Sequence, residues 1–408
     1  MTTRDEALAL DAGSPLQGRR ELFAVPGGRV YLTGNSLGAL PRHVPDRMAK
    51  VVAQEWGQDL ISAWNTADWT NLARRVAALI EPMIGAAPES VHVGDSTSVT
   101  LFKTMAAALR LRPDRDVIVI EPTTFPTDGY VAQGVAQSFG KTVRWCDPTD
   151  PTAALDDDVA LLSLTHVDFR TGAMFDMAAV TRAAHDAGVV VLWDLCHSTG
   201  AVPVDLGATD ADLAVGCTYK YLNGGPGSPA FGYVAPRLQD RIEQPITGWW
   251  GHARPFSMDR DYEPAPGVAR MAVGTPPVLA LSALEAALEV FDGVAADEIR
   301  TVSLSLTDLF IALVEERLPG TFELLTPREH SRRGSQVSWR HPQAYGVVQA
   351  LIRRGVVGDF REPDVARFGF APLYVTHADV YDAVEHLVQV LAAEEHLDPA
   401  WAVKNAVT

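Results

Sequence analysis

Between residues 116 and 236 the chain alternates short, continuously apolar runs with stretches of helical spacing. DVIVIEP (116–122), VALLSLTHV (159–167), VVVLWD (189–194), DLAVGCTYK (212–220) and AFGYVAP (230–236) read as strands buried on both faces. DMAAVTRAAHDAG (176–188) reads as a helix closed by Gly188. Upstream, 74–84 and 99–111 have amphipathic helical periodicity; in the second, Val99, Phe102, Met105 and Leu109 recur on one side. Continuous apolar strands separated by helices predict an α/β fold with a mostly parallel sheet covered on both faces. The pattern changes after PPVLALSALEAALEVF (276–291). From 296 to about 390, helices alternate with the shorter strands TFELL, QVSWR and RFGFAPLYV, as in a smaller α+β unit. The expected division is a large domain over 45–290 and a small domain built from 1–44 and 291–408.

Composition narrows the class. A chain of 408 residues with 47% hydrophobic and 21% charged residues buries a sizeable core. The formal net charge of −17 argues against nucleic acid or an anionic membrane as partner. The N-terminus has no apolar signal segment, and no apolar run approaches the roughly 18 residues of a membrane helix. Three cysteines without CxxC spacing suggest a reduced, cytoplasmic protein. No histidine falls in an HExxH pattern, so metal chemistry has no support in the sequence.

The chemistry sits where polar residues interrupt the apolar strands, because ligands of an open parallel sheet bind outside the strands' carboxyl ends. VVVLW ends in Asp194, with His197 three residues on. LAVGCTY runs to Lys220. The strand at 116–122 leads to Phe125 and Asp128, and LLSLTH ends in Thr165 and His166. GDSTS before the 99–111 helix brings free N–H groups and the Ser96 and Thr97 hydroxyls to a helix N-terminus, a phosphate-type site. An amine, a carboxylate, an aromatic face and an anion cradle form the set that pyridoxal 5'-phosphate requires. Each residue alone has a plainer reading: Lys220 as a solvated charge, Asp194 as a helix cap, Phe125 as core, and His166 and His197 as hydrogen-bonded structural histidines. The combination favours the cofactor. The NGGPGSP run after Lys220 is expected to let backbone pass close to a bound ring.

The motifs YLTGNSLG (31–38), EWGQDLISAW (55–64), TTFPTDGY (123–130), FRTGAMFD (169–176), WDLCHSTGAVP (193–203), CTYKYLNGGPGSPAF (217–231), GWWGH (248–252), GTPPVLAL (274–281) and RFGFAPLYV (367–375) cover nearly the whole chain. They resemble those of the kynureninases, fold-type-I pyridoxal phosphate enzymes of the aminotransferase superfamily. The resemblance implies a seven-stranded large-domain sheet and hydrolytic Cβ–Cγ cleavage of L-kynurenine to anthranilate and L-alanine, in tryptophan catabolism and the kynurenine pathway that feeds NAD biosynthesis. It implies that Lys220 carries the cofactor, Asp194 holds the ring nitrogen with His197 near, Phe125 stacks on the ring, and Asp128 bonds close by. Ser96, Thr97 and Thr165 would contact the cofactor. Tyr219 would bind phosphate and move protons; strand alternation, apart from the resemblance, puts Tyr221 on the opposite face, where it packs. Trp249 and Thr275 would enter the site of a partner subunit, making a homodimer with shared sites. Arg367 would pair with the substrate carboxylate, beside Asn35 and Ser36. Trp250, Thr275 and the stretch around Gln58 differ from the animal enzymes, which points to the bacterial type and its preference for L-kynurenine over 3-hydroxy-L-kynurenine.

Rival readings are another enzyme of the same fold type, an aminotransferase or desulfurase, and a serine hydrolase. A desulfurase needs a cysteine in the last third, and none follows Cys217. GNSLG (34–38) matches a nucleophile elbow around Ser36, but only VYLT precedes it, and Pro41 and Pro45 follow.

Overall fold

The computed structural model describes residues 2–405. One short strand, β1 (Val30–Tyr31), precedes the seven of the main sheet: β2 (Val91–Val93), β3 (Val117–Ile120), β4 (Thr142–Trp145), β5 (Val159–Thr165), β6 (Val190–Asp194), β7 (Leu213–Gly216) and β8 (Phe231–Val234). The C-terminal region adds β9 (Glu323–Leu324), β10 (Gln336–Arg340), β11 (Val356–Val357), β12 (Asp359–Arg361) and β13 (Val365–Gly369).

The main sheet has the order β2-β8-β7-β6-β5-β3-β4. Only β8 runs against its neighbours. The other six are therefore parallel, and all end at one edge. Every residue of β3, β5, β6 and β7 is buried, which is why these strands read as unbroken apolar runs rather than alternating ones. Helices Thr97–Leu111, Pro126–Phe139 and Met177–Asp186 pack against the sheet. The last follows the expected pattern: Asp176 caps its start, and Gly188 beyond its end takes a left-handed φ of 70°.

The strand expected at 212–220 is shorter, ending at Gly216. Past that point the Cys217 N–H donates to the Cys196 thiol, 3.2 Å away, instead of a strand carbonyl. The ladder stops there, and a turn closed by Asn223 N–H to Lys220 O carries the next residues. Lys220 therefore lies four residues beyond the strand, not at its tip.

The small sheet, β12-β13-β10-β9, is antiparallel. The N-terminal segment is fastened to this C-terminal region. β1 pairs in parallel with β11, and Thr33 bridges to Gly369. Asp11 accepts from the N–H and Nδ1 of His377, and helix Arg4–Ala12 packs on helix His377–Ala392.

Candidate active site

Five loops leave the carboxyl edge of the main sheet beside one another. They follow β2, β3, β5, β6 and β7 and carry Ser96–Thr97, Phe125–Asp128, Thr165–His166, Asp194–His197 and Tyr219–Lys220. The parallel order alone brings these residues to a common rim.

Lys220 is half-buried, with its Nζ 2.9 Å from Nε2 of His197. The other imidazole nitrogen, Nδ1, is 3.2 Å from Oε1 of Gln336. An amide oxygen only accepts, so Nδ1 carries the proton and Nε2 presents its lone pair to the lysine. Burial, then the charges of Lys220 and Arg367, hold His197 well below the usual imidazole range, so it is neutral. The Gln336 oxygen also accepts from Nδ2 of Asn35 at 3.2 Å, while the Gln336 amide donates to Phe169 O.

Asp194 is buried at the end of β6 and accepts from Cys196 N–H at 2.7 Å. Asp128, also buried, faces it. Burial and the neighbouring Asp194 charge push Asp128 well above the usual carboxylate range, so Asp128 holds a proton and donates it to Asp194. Thr124 ties this group to Thr165, with 2.7 Å between their hydroxyls. Phe125 presents a ring that is 45% exposed, edge-on to Phe169, with the Lys220 amine 5.9 Å from its centroid.

At the helix N-terminus Ser96 caps Val99 N–H, and Asp95 before it takes a left-handed φ of 57°. The fully buried Lys103 holds Asp95 at 2.6 Å and donates to Met271 O at 2.7 Å. An ion pair from a lysine rooted in the core thus fixes the loop that presents the first helical N–H groups.

On β13 of the C-terminal sheet Arg367 is 1% exposed. Its Nε and Nη2 fork onto both oxygens of Asp359 at 2.7 and 2.5 Å, Nη2 also donates to Ser36 Oγ at 2.7 Å, and Nη1 donates to Phe169 O at 2.6 Å. Ser36 in turn donates to Asp359 at 2.5 Å. Among the described residues no histidine hydrogen-bonds Ser36, which removes the hydrolase arrangement suggested by GNSLG.

Of the loops above, only Gly94–Asp95 borders the cavity that Thr275 lines. Trp249 packs edge-on against Trp250 and Phe256 and is 38% exposed. Thr275 is exposed and lines, with Trp250, a cavity of about 780 Å³ that Lys220 does not border. His166 is buried against the Ser198 hydroxyl, and burial lowers it to about 4, so it is a neutral structural histidine. Tyr219 is half-buried, and burial raises its phenol well above the ordinary value, so it keeps its proton. Tyr221 is buried and donates to Ser335 O.

In the glycine run after Lys220, a Cβ on Gly224 would stand 2.4 Å from Ser228 Oγ and 2.8 Å from Leu284 Cδ1. A Cβ on Gly225 or Gly227 would meet nothing within 4 Å; their φ values of 85° and 76° are what require glycine. Another close approach occurs at Gly38, whose N–H donates to Tyr219 O at 2.8 Å and whose missing Cβ would stand 2.3 Å from Lys220 O.

These residues fit pyridoxal phosphate. The amine has an imidazole acceptor, a buried carboxylate stands opposite a protonated acid, an aromatic face is uncovered, and a helix N-terminus is held rigid from below. Gln336 and Asp359 escaped the sequence reading. The signal available was a polar residue opening a strand buried over Gln336–Trp339, and an acid between VVG and Phe360.

The family model of the kynureninase C-terminal domain matches residues 299–387. A kynureninase of Burkholderia pseudomallei is 52% identical over 416 residues, covering 100% of both chains. That of Pseudomonas fluorescens is 49% identical, also over 100% of both. Among solved structures, the apo cysteine desulfurase of Thermococcus onnurineus superposes with a TM-score of 0.77 at 17% identity, over 92% of this chain and 97% of that one. A C-DES variant with glycine covalently linked to its pyridoxal phosphate gives 0.76 at 19%, over 90% and 98%. At such identities these two speak for the fold.

Proposed function

The chain belongs to the kynureninase family, and on that premise we propose that this rim is the active site, where L-kynurenine and water become anthranilate and L-alanine. The observation that carries the proposal is a continuous chain of contacts. It runs from the Lys220 amine through His197 and Gln336 to Asn35, whose neighbour Ser36 holds the buried Arg367. One end of that chain suits the amino group of an α-amino acid and the other its carboxylate.

Lys220 would hold pyridoxal phosphate, Asp194 its ring nitrogen, Phe125 its face, and Ser96, Thr97 and Tyr219 its phosphate, with Asp128, Thr165 and His197 close around the ring. When bound, the cofactor supplies a carbonyl that captures the substrate amine and a ring that draws electrons from the α-carbon. The remaining work falls to the chain. Lys220 takes the α-proton, and the neutral His197 keeps its amine directed into the cleft. Asp128, holding its proton, steadies the Asp194 carboxylate against the ring. Arg367, locked by Asp359 and Phe169 O, orients the substrate carboxylate. Water adds at the γ-carbonyl, the Cβ–Cγ bond breaks, and the acyl half leaves as anthranilate. Tyr219, which keeps its proton, is suited to deliver one to the β-carbon as alanine forms.

Trp249, Phe256 and Met258 are exposed together, at 38%, 65% and 73%. This supports a homodimer in which a second copy covers them and in which Trp249 and Thr275 complete the neighbouring site. The three free, buried cysteines suit a reducing cytoplasm. Among the described residues no helix is long and apolar enough to cross a membrane. The bacterial-type residues favour L-kynurenine over its 3-hydroxy derivative. Purified protein incubated with the cofactor and L-kynurenine is expected to release fluorescent anthranilate, and Lys220→Ala to abolish it. Wild-type holoenzyme that releases none overturns the assignment.

A further inference from the structure

Strands β12 and β13 are antiparallel, with Asp359 directly opposite Arg367 and Arg361 opposite Val365. Asp359 and Arg361 lie two residues apart on one strand, so they share a face, and Arg367 reaches that face from across. Three ionised side chains therefore meet over Ser36. Arg361 Nη2 is 3.2 Å from Ser36 Oγ and 3.2 Å from Asp359 Oδ2, the oxygen that also receives Arg367, Thr33 and Ser36.

Counting donors separates the two arginines. A guanidinium has five N–H groups. Arg367 commits Nε and both hydrogens of Nη2 to Asp359 and Ser36, and one hydrogen of Nη1 to Phe169 O. One N–H is left, too few for a bidentate grip. Arg361 is held at one corner only. Its Nε has no acceptor, and the sole Nη1 contact is the neighbouring Phe360 carbonyl at 3.5 Å. Charge gives the same answer. One carboxylate, Asp359, faces two guanidinium groups, so one positive charge is uncompensated. Its holder is Arg361, whose side chain is 35% exposed against 1% for Arg367. Both arginines act on the imidazole next to Lys220, since each charge helps to lower His197.

We infer that Arg361 is a second carboxylate-binding residue of the substrate site, supplying the N–H groups and the charge that Arg367 has already given to Asp359. The inference rests on the reading of this cleft as an α-amino acid site. Arg367 sets the direction of approach and Arg361 neutralises the incoming carboxylate.

The test uses holoenzyme, wild type against Arg361→Gln and Arg361→Lys. Calorimetric Kd values are measured for L-alanine and for L-alaninamide, which lacks the carboxylate charge, beside KM and kcat for L-kynurenine. Arg361→Gln is expected to weaken L-alanine roughly 10- to 100-fold, an ion-pair-scale loss, with L-alaninamide changed less than about threefold. KM should rise by the same factor as L-alanine weakens, with kcat largely kept, and Arg361→Lys should recover part of the loss. A purely structural role would weaken acid and amide together. Equal loss on both ligands, or no loss on L-alanine, overturns the inference. The two readings fail separately. A wild type that releases anthranilate while Arg361→Gln keeps its acid-over-amide preference sinks only the inference. A wild type that releases none, yet loses that preference through Arg361→Gln, sinks only the assigned reaction.

Discussion

Replacing Gly38 by alanine tests how the Lys220 turn is held. The added Cβ would stand 2.3 Å from Lys220 O, 2.5 Å from Asn223 Oδ1 and 2.7 Å from Asn223 Cα. Two of these atoms are backbone, so no rotamer change relieves the contact, and the two loops must separate. The separation stretches the 2.8 Å bond from Gly38 N–H to Tyr219 O. Overpacking of this kind costs about 1–3 kcal/mol, and loss of the hydrogen bond about 1 kcal/mol more. At roughly 2 cal/mol/K of unfolding entropy per residue, a chain of 408 residues converts about 3 kcal/mol into a Tm loss of about 3–4 °C. The larger effect is expected on catalysis, because Lys220 moves with its own carbonyl. A displacement near 1 Å at a reacting group costs on the order of 10²-fold in rate. Differential scanning calorimetry of the holoenzyme and the initial rate of anthranilate release give the two readouts. Gly225→Ala is the control. It too strains the backbone, at a φ of 85°, but it crowds nothing within 4 Å. It should lower Tm by about 1–2 °C at a strain of about 1–2 kcal/mol and leave kcat within about twofold. A Gly38→Ala enzyme with wild-type kcat, or a Gly225→Ala enzyme with the greater catalytic loss, refutes the assignment of Gly38 as the buttress of the Lys220 turn.

Three further outcomes are expected. Tyr219→Phe should lower kcat by about 10²-fold or more, the usual scale for a positioned proton donor; a full steady-state rate removes that role. Asp359→Asn leaves Arg367 buried without its counter-charge, so stability should fall by about 3–5 kcal/mol, a Tm loss of about 4–6 °C by calorimetry. Glu121 is buried, and burial, then the Asp168 charge, raise it to about 7 from 4.5. Its folded-state pKa lies above the unfolded one, so the unfolded chain releases this proton first and stability drops as pH rises from about 4.5 to about 7. The contribution is about 3 kcal/mol. Glu121→Gln should therefore gain on wild type in denaturant titrations as pH increases across that window, and a stability difference independent of pH refutes the assignment.

What the sequence could show and what it could not divides along chain distance. β5 and β6 were legible because both faces are buried and the apolar run is its own signal. The edge carrying Asp194, Phe125, Asp128 and Thr165 followed from the rule that parallel strands end together. Lys220 lies beyond the strand that its apolar run predicts. Where β7 ends is decided by a thiol on the neighbouring loop, Cys196, and no local pattern encodes that partner. Gln336, Asp359 and Arg361 were missed for the same reason. Their meaning arises only when β10 and β12 are laid beside residues 33–36, about 300 positions earlier. The glycine run is legible as special backbone, but left-handed φ, which Gly225 and Gly227 take, and steric closeness, which Gly224 shows, look alike in a sequence.

The bond between Ser36 and Arg367 spans 331 residues, and that span governs when the enzyme can exist during its own synthesis. A chain still attached to the ribosome can lay down β2 to β8 and gather the amine, the paired acids and the helix N-terminus from contiguous sequence. It cannot join Ser36 to Arg367 until 331 further residues have followed Ser36 out of the ribosome. Until then GNSLG stands without the strand β13 that carries its partner.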